Sequence, residues 1–148
     1  MARAATENFP VASRLLPSRA RRHLLAIYGF ARLVDQLGDD VEGDRLAALQ
    51  WLSEELGRAF SGTATHPLLV ALEPTIEACA LTPEPFERLI EANRMDQRVS
   101  SYDTWDDLVG YCHLSADPVG ELVLNVFGAA TPERIELSNA VCTALQVV

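Results

Sequence analysis

The feature that most constrains the fold is a helical period of apolar residues that runs through most of the chain. From Leu24 onward, aliphatic and aromatic side chains recur three and four positions apart, a spacing that covers one face of an α-helix. The sequence shows no alternating strand pattern, no hairpin dipeptide between apolar runs and no internal repeat. It therefore predicts an all-α protein with about six helices.

Capping signals divide this pattern into helices. Ser18 is a candidate N-cap for the first helix, Asp44 lies near the start of the second, and His66-Pro67 opens the third. Thr–Pro pairs precede the fourth and the sixth, and a Thr followed three residues later by Asp forms a capping box before the fifth. The predicted helices span about 19–38, 44–60, 67–76, 83–98, 105–126 and 132–148.

Prolines predict the breaks in this pattern. Residues 1–17 should be irregular, because Pro10 and Pro17 interrupt them. Pro74 should kink the third helix or split it in two, since a proline inside a helix removes a backbone hydrogen bond. For the same reason Pro118 should bend the fifth helix.

Ionisable residues recur at helical spacing inside the otherwise apolar segment Tyr28–Asp40, Y-G-F-A-R-L-V-D-Q-L-G-D-D. Four of them fall within an arc of about 60° on one helix face: Tyr28, Arg32, Asp35 and Asp39. Asp35 and Asp39 are one turn apart and repel each other, so on a half-buried face they require a compensating cation. A hard divalent ion such as Mg²⁺ would supply it. Arg32 and Asp35, at i and i+3, could instead form an ordinary surface salt bridge.

Composition excludes several classes of protein. The 148 residues, 49% of them hydrophobic, suffice for one globular domain with a sizeable core. A net charge of −9 argues against a nucleic-acid binder, and any phosphorylated substrate must be held by a metal ion or by locally placed arginines. Three widely spaced cysteines indicate free thiols in a reducing compartment: Cys79, Cys112 and Cys142. Without an apolar signal segment or membrane span, we expect a cytoplasmic protein, with peripheral membrane contact left open.

Four segments of the chain carry a family resemblance. They are E-N-F-P-V-A-S-R-L-L-P (7–17), Y-G-F-A-R-L-V-D-Q-L-G-D-D (28–40), D-Q-R-V (96–99) and Y-C-H-L-S-A-D-P-V-G (111–120). Together they resemble the squalene/phytoene synthase family of head-to-head isoprenoid synthases, and within it the bacterial hydroxysqualene synthases of hopanoid biosynthesis. The second segment is the diagnostic one, because an aromatic residue, an arginine four residues on and D-x-x-x-D form the family's first aspartate-rich motif. The resemblance implies an isoprenoid-synthase-type helical bundle of which residues 1–148 are about the first half, the N-terminal portion of one domain.

The resemblance also implies a chemistry and a set of site residues. Mg²⁺ ions would hold the diphosphate of a prenyl substrate, presqualene diphosphate or farnesyl diphosphate, and stabilise its departure. Presqualene diphosphate would ionise and rearrange, and water would end the reaction, giving hydroxysqualene without NADPH. The implied roles are metal binding by Asp35 and Asp39, diphosphate binding by Arg32, catalysis by Tyr28, Arg32 and Tyr111, and a substrate cavity lined by Val119, Gly120 and Gln146.

The chain also departs from the family pattern. Gln36 stands where many relatives have a third carboxylate, Pro10 stands where some carry a phosphate-contacting serine, and Asp117 stands where the residue is usually small or Asn. Gln146 matches the glutamine that opens the family's second acidic segment, and the second D-x-x-x-D does not follow it before Val148. We therefore expect this portion alone to lack complete catalysis.

Several residues allow two interpretations. Tyr111 could pack in the core or form a cavity wall. Gly120 could serve close helix packing or a bend, and Asp96 could belong to the site or be solvated at a helix end. The basic run at 19–22 could be a solvated helix start or could touch an anionic membrane.

Two alternative functions also remain at this stage. Within the family, the protein could be a presqualene diphosphate or phytoene synthase, which couples two prenyl diphosphates. From another class, it could be a non-catalytic helical module that binds a partner through exposed apolar faces.

Overall fold

The computed structural model describes residues 16–148, which form seven α-helices and contain no strand. The helices are α1 (Ser18–Asp39), α2 (Arg45–Phe60), α3 (Pro67–Ala78), α4 (Pro83–Asp96), α5 (Trp105–Ser115), α6 (Asp117–Val126) and α7 (Pro132–Val147). The all-α prediction is confirmed. Among these helices none is both long enough and apolar enough to cross a membrane. The expectations for Pro10 and for residues 7–15 of the first family segment lie outside the described residues.

Side-chain caps begin three of the helices as predicted. Each cap accepts a hydrogen bond from the backbone N–H three residues on: Asp44 from Ala47 at 2.9 Å, Thr104 from Asp107 at 3.1 Å and Thr131 from Arg134 at 3.4 Å. Such a bond satisfies one of the backbone donors that a helix start leaves unpaired. Thr82 also precedes α4 as predicted, but its side chain makes no cap bond.

The structure corrects three predicted boundaries. Ser18 is the first helical residue rather than the cap, because the extended residue before it is Pro17. Pro74 does not split α3, which remains one helix from Pro67 to Ala78. The predicted fifth helix is two helices: Ala116 departs from helical geometry at φ −114°, and Pro118 lies in the first turn of α6, where its missing N–H has no intrahelical partner to lose.

The core lies between α1 and the helices that surround it. Phe30 of α1 meets Phe86 of α4 edge to face, with ring centroids 5.0 Å apart, and Phe60 of α2 packs against the same ring at 6.0 Å. Leucines of α2 and α3 fill the space around these rings and are completely buried: Leu49, Leu52, Leu56, Leu69 and Leu72. Burial of this apolar surface is the main force that holds α1 in place. The three cysteines are free thiols, as predicted.

A buried carboxylate fixes the connection between α2 and α3. Glu55 is completely buried, and its Oε2 accepts hydrogen bonds from the backbone N–H groups of Thr65 and His66, each at 3.0 Å. Its Oε1 accepts from the Thr65 hydroxyl at 3.1 Å and from the Arg58 guanidinium. These donors, the two backbone groups first, lower the pKa of Glu55 to about 2. The charged form is therefore the one that the fold stabilises.

The last helix is attached by a close contact on one side and is exposed on the other. A Cβ placed on Gly120 of α6 would lie 2.2 Å from Oγ of Ser138 and 2.7 Å from Sγ of Cys142, both on α7. On the outer side of α7, apolar side chains are more than half exposed: Leu137, Val141 and Leu145. The apolar period therefore predicted the helix correctly, but no residue of α7 is buried.

Candidate active site

A cleft of about 330 Å³ collects most of the candidate site residues. Asp35 and Asp39 line it from α1, and Asp96 lines it from the end of α4. Tyr111 of α5, Val119 of α6 and Gln146 of α7 complete the set. We call this site the carboxylate cleft. It joins residues that are more than 100 positions apart in the chain, so it exists only in the folded bundle.

The α1 wall of the cleft carries the aspartates one turn apart. Both side chains are exposed, as metal or substrate binding would require. Arg32 lies 3.7 Å from Asp35, measured between Nη1 and Oδ2, and both side chains are more than half exposed. An exposed pair at this distance contributes at most about 1 kcal/mol, so the surface salt bridge exists but leaves Asp35 accessible at low cost.

The α4 and α5 walls are joined by a hydrogen bond between two polar side chains. The Tyr111 hydroxyl donates to Oδ2 of Asp96 at 2.9 Å, and the Tyr111 ring lies 5.2 Å from that of Tyr102. Burial raises the pKa of Asp96, the hydrogen bond from Tyr111 opposes this rise, and the charge of Asp39 adds to it. Burial, followed by the bond to Asp96, also raises the pKa of Tyr111. Tyr111 therefore stays a protonated donor.

Contacts between the ends of α1 and α4 set the spacing of Asp39 and Asp96. Gly38 is buried, and a Cβ there would lie 2.3 Å from Oδ1 of Asn93. The side-chain amide of Gln97 donates to the carbonyl of Gly38 at 2.9 Å and to that of Asn93 at 3.1 Å. A glycine permits this close approach because it has no side chain, and the amide then holds the two helix ends together.

Three candidate residues do not line the cleft. Tyr28 and Arg32 share the helix face of the aspartates, but Tyr28 lies two turns and Arg32 one turn before Asp35, outside the lining. Gly120 faces α7, so its close-packing interpretation is the one that the geometry matches. Of the four residues within the arc of about 60°, the two aspartates therefore line the cleft and the other two lie beyond its end.

Sequence reasoning missed Asn93 and Ser115, which also line the cleft. Asn93 precedes Asp96 by three residues on α4, so helical spacing from the D-Q-R-V segment could have found it. Ser115 follows Tyr111 by four residues on α5, inside the fourth family segment, so the same helical spacing could have found it as well.

Asp117 points away from the cleft. It is completely buried, and its Oδ1 accepts a hydrogen bond from the hydroxyl of Thr143 at 3.1 Å while Oδ2 pairs with Nδ1 of His113. This carboxylate therefore joins α5, α6 and α7. The extra negative charge that the sequence places in the fourth family segment does not face the cleft.

The donor chemistry of the cleft suits a magnesium ion only in part. In residues 16–148, no three His, Cys, Asp or Glu side chains are grouped so that they could hold a metal ion as a set. Mg²⁺ is usually bound by one or two carboxylates, with phosphate oxygens and water supplying its other ligands. Asp35 and Asp39 fit that arrangement, provided that an anionic substrate brings the remaining oxygens.

The structure is thus a helical bundle that carries two aspartates one turn apart on the wall of a cleft. The family model of squalene/phytoene synthases matches residues 2–148, and the chain belongs to that family. The predicted resemblance is thereby confirmed.

Individual relatives agree with this assignment. A hydroxysqualene synthase of Rhodopseudomonas palustris is 37% identical over 145 residues, which cover 95% of this chain and 48% of the relative. A phytoene synthase of Arthrospira platensis is 33% identical over 129 residues, 86% of this chain and 42% of that protein. The crystal structure of squalene synthase HpnC from Alicyclobacillus acidocaldarius superposes with a TM-score of 0.91 at 56% identity, covering 98% of this chain and 55% of the other. The fold is thus of the isoprenoid-synthase type, and the chain spans about half the length of the curated relatives that it matches.

Proposed function

We propose that residues 1–148 are the N-terminal portion of a hydroxysqualene synthase, which converts presqualene diphosphate to hydroxysqualene with Mg²⁺. The observation that carries the proposal is the carboxylate cleft, where the D-x-x-x-D aspartates face Asp96 and Tyr111 across one small opening. The 37% identity with a hydroxysqualene synthase supports the same assignment.

In this proposal Asp35 and Asp39 hold the metal ion against the substrate diphosphate. The bound ion would neutralise charge on the departing diphosphate, which is Lewis-acid chemistry that side chains alone supply poorly. Arg32, exposed beside Asp35, would leave its 3.7 Å ion pair and bind a phosphate oxygen of the substrate. Tyr28 would assist on the same helix face.

The opposite wall of the cleft would position the substrate and exclude water. Tyr111 keeps its proton because its pKa is raised, and so remains a hydrogen-bond donor whose ring faces the cleft. Val119 offers apolar surface for a prenyl chain, and Gln146 offers an amide at the α7 edge. Excluding bulk water matters because a carbocation reacts with the first water that reaches it. Water also ends the proposed reaction, so no NADPH is expected.

The test uses the chain within its full reading frame, with presqualene diphosphate and Mg²⁺ but no NADPH. We expect hydroxysqualene, detected by mass spectrometry, and a loss of about 100-fold or more in rate for Asp35→Asn or Asp39→Asn. Asp40→Asn is the matched control: Asp40 is exposed, next in sequence and outside the cleft lining. Failure to form hydroxysqualene would refute the assignment.

A second function within the family is coupling of two prenyl diphosphates, as in a presqualene diphosphate or phytoene synthase. The 33% identity with a phytoene synthase favours it. It predicts that farnesyl or geranylgeranyl diphosphate is consumed and that presqualene diphosphate is a product or is not accepted. A parallel incubation with farnesyl or geranylgeranyl diphosphate in place of presqualene diphosphate distinguishes the two reactions.

The exposed apolar side of α7 favours a third interpretation, a helical module that binds a partner. Calorimetry of this chain with Mg²⁺ and a non-hydrolysable prenyl diphosphate tests it, because such a module should give no metal-dependent heat. Metal-dependent binding that is lost in Asp39→Asn would support the synthase instead.

The proposal includes a cytoplasmic location with peripheral membrane contact, because a prenyl diphosphate substrate has a long apolar tail that partitions into lipid. Flotation of the protein with vesicles would measure that contact.

A further inference from the structure

A second cavity, of about 520 Å³, lies between α1 and α3 and shares no lining residue with the carboxylate cleft. Its polar lining consists of Arg19, Arg22 and His23 from α1 and Thr75 from α3. Alanines and a proline complete the lining, and because their side chains are small the cavity stays open. We call it the cationic cavity.

His23 supplies a polar atom that the fold leaves unused. Only 4% of this side chain is exposed, and its Nδ1 lies 2.9 Å from Oγ1 of Thr75. Its Nε2 is buried and has no hydrogen-bond partner. Buried polar atoms are nearly always paired, so an unpaired one in a cavity wall indicates a missing partner. When the Thr75 hydroxyl donates to Nδ1, the proton lies on Nε2, which then offers a donor.

Arg19 and Arg22 make the rim of this cavity positive. Both side chains are exposed, and neither takes part in the ion pairs found within residues 16–148. Among the residues that the structure describes, no acidic side chain lines the cavity or occurs in the first turn of α1. Burial lowers the pKa of His23, and the charges of Arg22 and Arg19 lower it further. Within residues 16–148, two arginines outside any ion pair thus flank a buried imidazole, in a chain whose net charge is −9.

We propose that the cationic cavity binds a phosphate group, as free phosphate or as the phosphomonoester of a larger molecule. Guanidinium groups match phosphate oxygens with paired, charge-assisted hydrogen bonds, and the cavity offers two of them. The Nε2–H of His23 would supply a further hydrogen-bond donor from the wall of the cavity. The space exceeds that of a phosphate ion alone, so an attached organic group or a lipid headgroup can be accommodated.

Calorimetric titration with inorganic phosphate tests this site, at fixed ionic strength and without divalent cations, so that the carboxylate cleft does not contribute. We expect saturable binding that weakens about tenfold or more in Arg19→Gln/Arg22→Gln, since two charge-assisted contacts are lost together. Arg45→Gln/Arg134→Gln makes the same change in net charge on exposed side chains elsewhere, and should bind within about twofold of the parent. No saturable binding, or an equal loss in both double variants, would overturn the proposal.

Nuclear magnetic resonance tests the role of His23 without changing the fold. Phosphate should shift the ¹⁵N resonance of Nε2 in the parent and leave it unchanged in Arg19→Gln/Arg22→Gln. A saturating titration that leaves Nε2 unmoved would refute its part in the site.

The source of the phosphate group is decided with vesicles. Co-sedimentation with phosphatidic acid but not with phosphatidylcholine, lost in Arg19→Gln/Arg22→Gln and competed by free phosphate, identifies a lipid headgroup. Phosphate binding without any vesicle binding identifies a soluble ligand. Either result supports the site.

Discussion

Replacing Gly120 with alanine tests whether α6 and α7 touch as closely as the structure has them. The new methyl carbon would lie 2.2 Å from Oγ of Ser138 and 2.7 Å from Sγ of Cys142, well inside van der Waals contact. Each of these atoms can move only by rotating about one side-chain torsion. If both cannot rotate away, α7 must shift.

The magnitude follows from two opposing effects. Overpacking of this kind costs about 1–3 kcal/mol. Replacing glycine by alanine inside a helix stabilises the helix by about 1 kcal/mol. We therefore expect Gly120→Ala to lower the free energy of unfolding by up to about 2 kcal/mol, which is roughly 4–8 °C in Tm for a chain of this size.

Urea denaturation measures this change, and the chain offers a matched control. Gly110 also lies inside a helix, and a Cβ there would meet nothing within 4 Å. Gly110→Ala should therefore stabilise the protein by about 1 kcal/mol. In the Ser138→Ala/Cys142→Ala background both clashing atoms are gone, and Gly120→Ala should become as favourable as the control.

Equal stabilisation by Gly120→Ala and Gly110→Ala in the parent would refute the reasoning. It would mean that α7 is not held against α6 at this distance. The position of Gln146 at the cleft edge would then be unsupported, since α7 carries that residue.

Three further predictions concern charge and the core. Because the folded pKa of Glu55 is lowered to about 2, its contribution to stability is fully present above its ordinary value of 4.5 and is lost as the pH falls towards 2; Glu55→Gln should remove this dependence in urea titrations between these pH values. Tyr111→Phe should raise the pKa of Asp96, because the carboxylate loses its hydrogen-bond donor, and Asp39→Asn should lower that pKa. Carbon NMR of the Asp96 carboxyl group measures the pKa in both variants. Shifts of the same sign in the two variants would contradict the assigned interactions of Asp96. Phe86→Ala should cost about 3–5 kcal/mol in unfolding free energy, because it empties the buried contact with Phe30, and a loss below about 1 kcal/mol would contradict the assigned core.

The helices could be predicted from the sequence because their signals are local. Asp44, Thr104 and Thr131 cap helices through atoms three residues away, so spacing alone is sufficient. The break at Ala116 could not be predicted in the same way. It accompanies the buried Asp117, which pairs with His113 and with Thr143 on another helix, and that second contact depends on tertiary structure.

The site was predictable along one helix but not across helices. Spacing on α1 placed Asp35 and Asp39 together, and both line the cleft. Their partners on α4 depend on how Gly38 meets Asn93, a close approach that no local pattern encodes. The family resemblance supplied Tyr111 and Gln146, whereas periodicity alone left Tyr111 between core and cavity.

The gathering of Asp35, Asp39 and Asp96 around one cleft has a consequence for how stability is distributed in this molecule. Burial raises the pKa of Asp96, the hydrogen bond from Tyr111 lowers it, and the charge of Asp39 raises it further, so the nearby charge of Asp39 opposes the charged form of Asp96. The apolar core, whose Val34 and Leu89 also line the cleft, must supply the free energy that keeps the two carboxylates close. The cleft is then a region of stored repulsion, and a cation entering it would tighten the ends of α1 and α4 as well as hold a ligand. Under the proposed function, stability and binding are therefore opposed at this point of the fold.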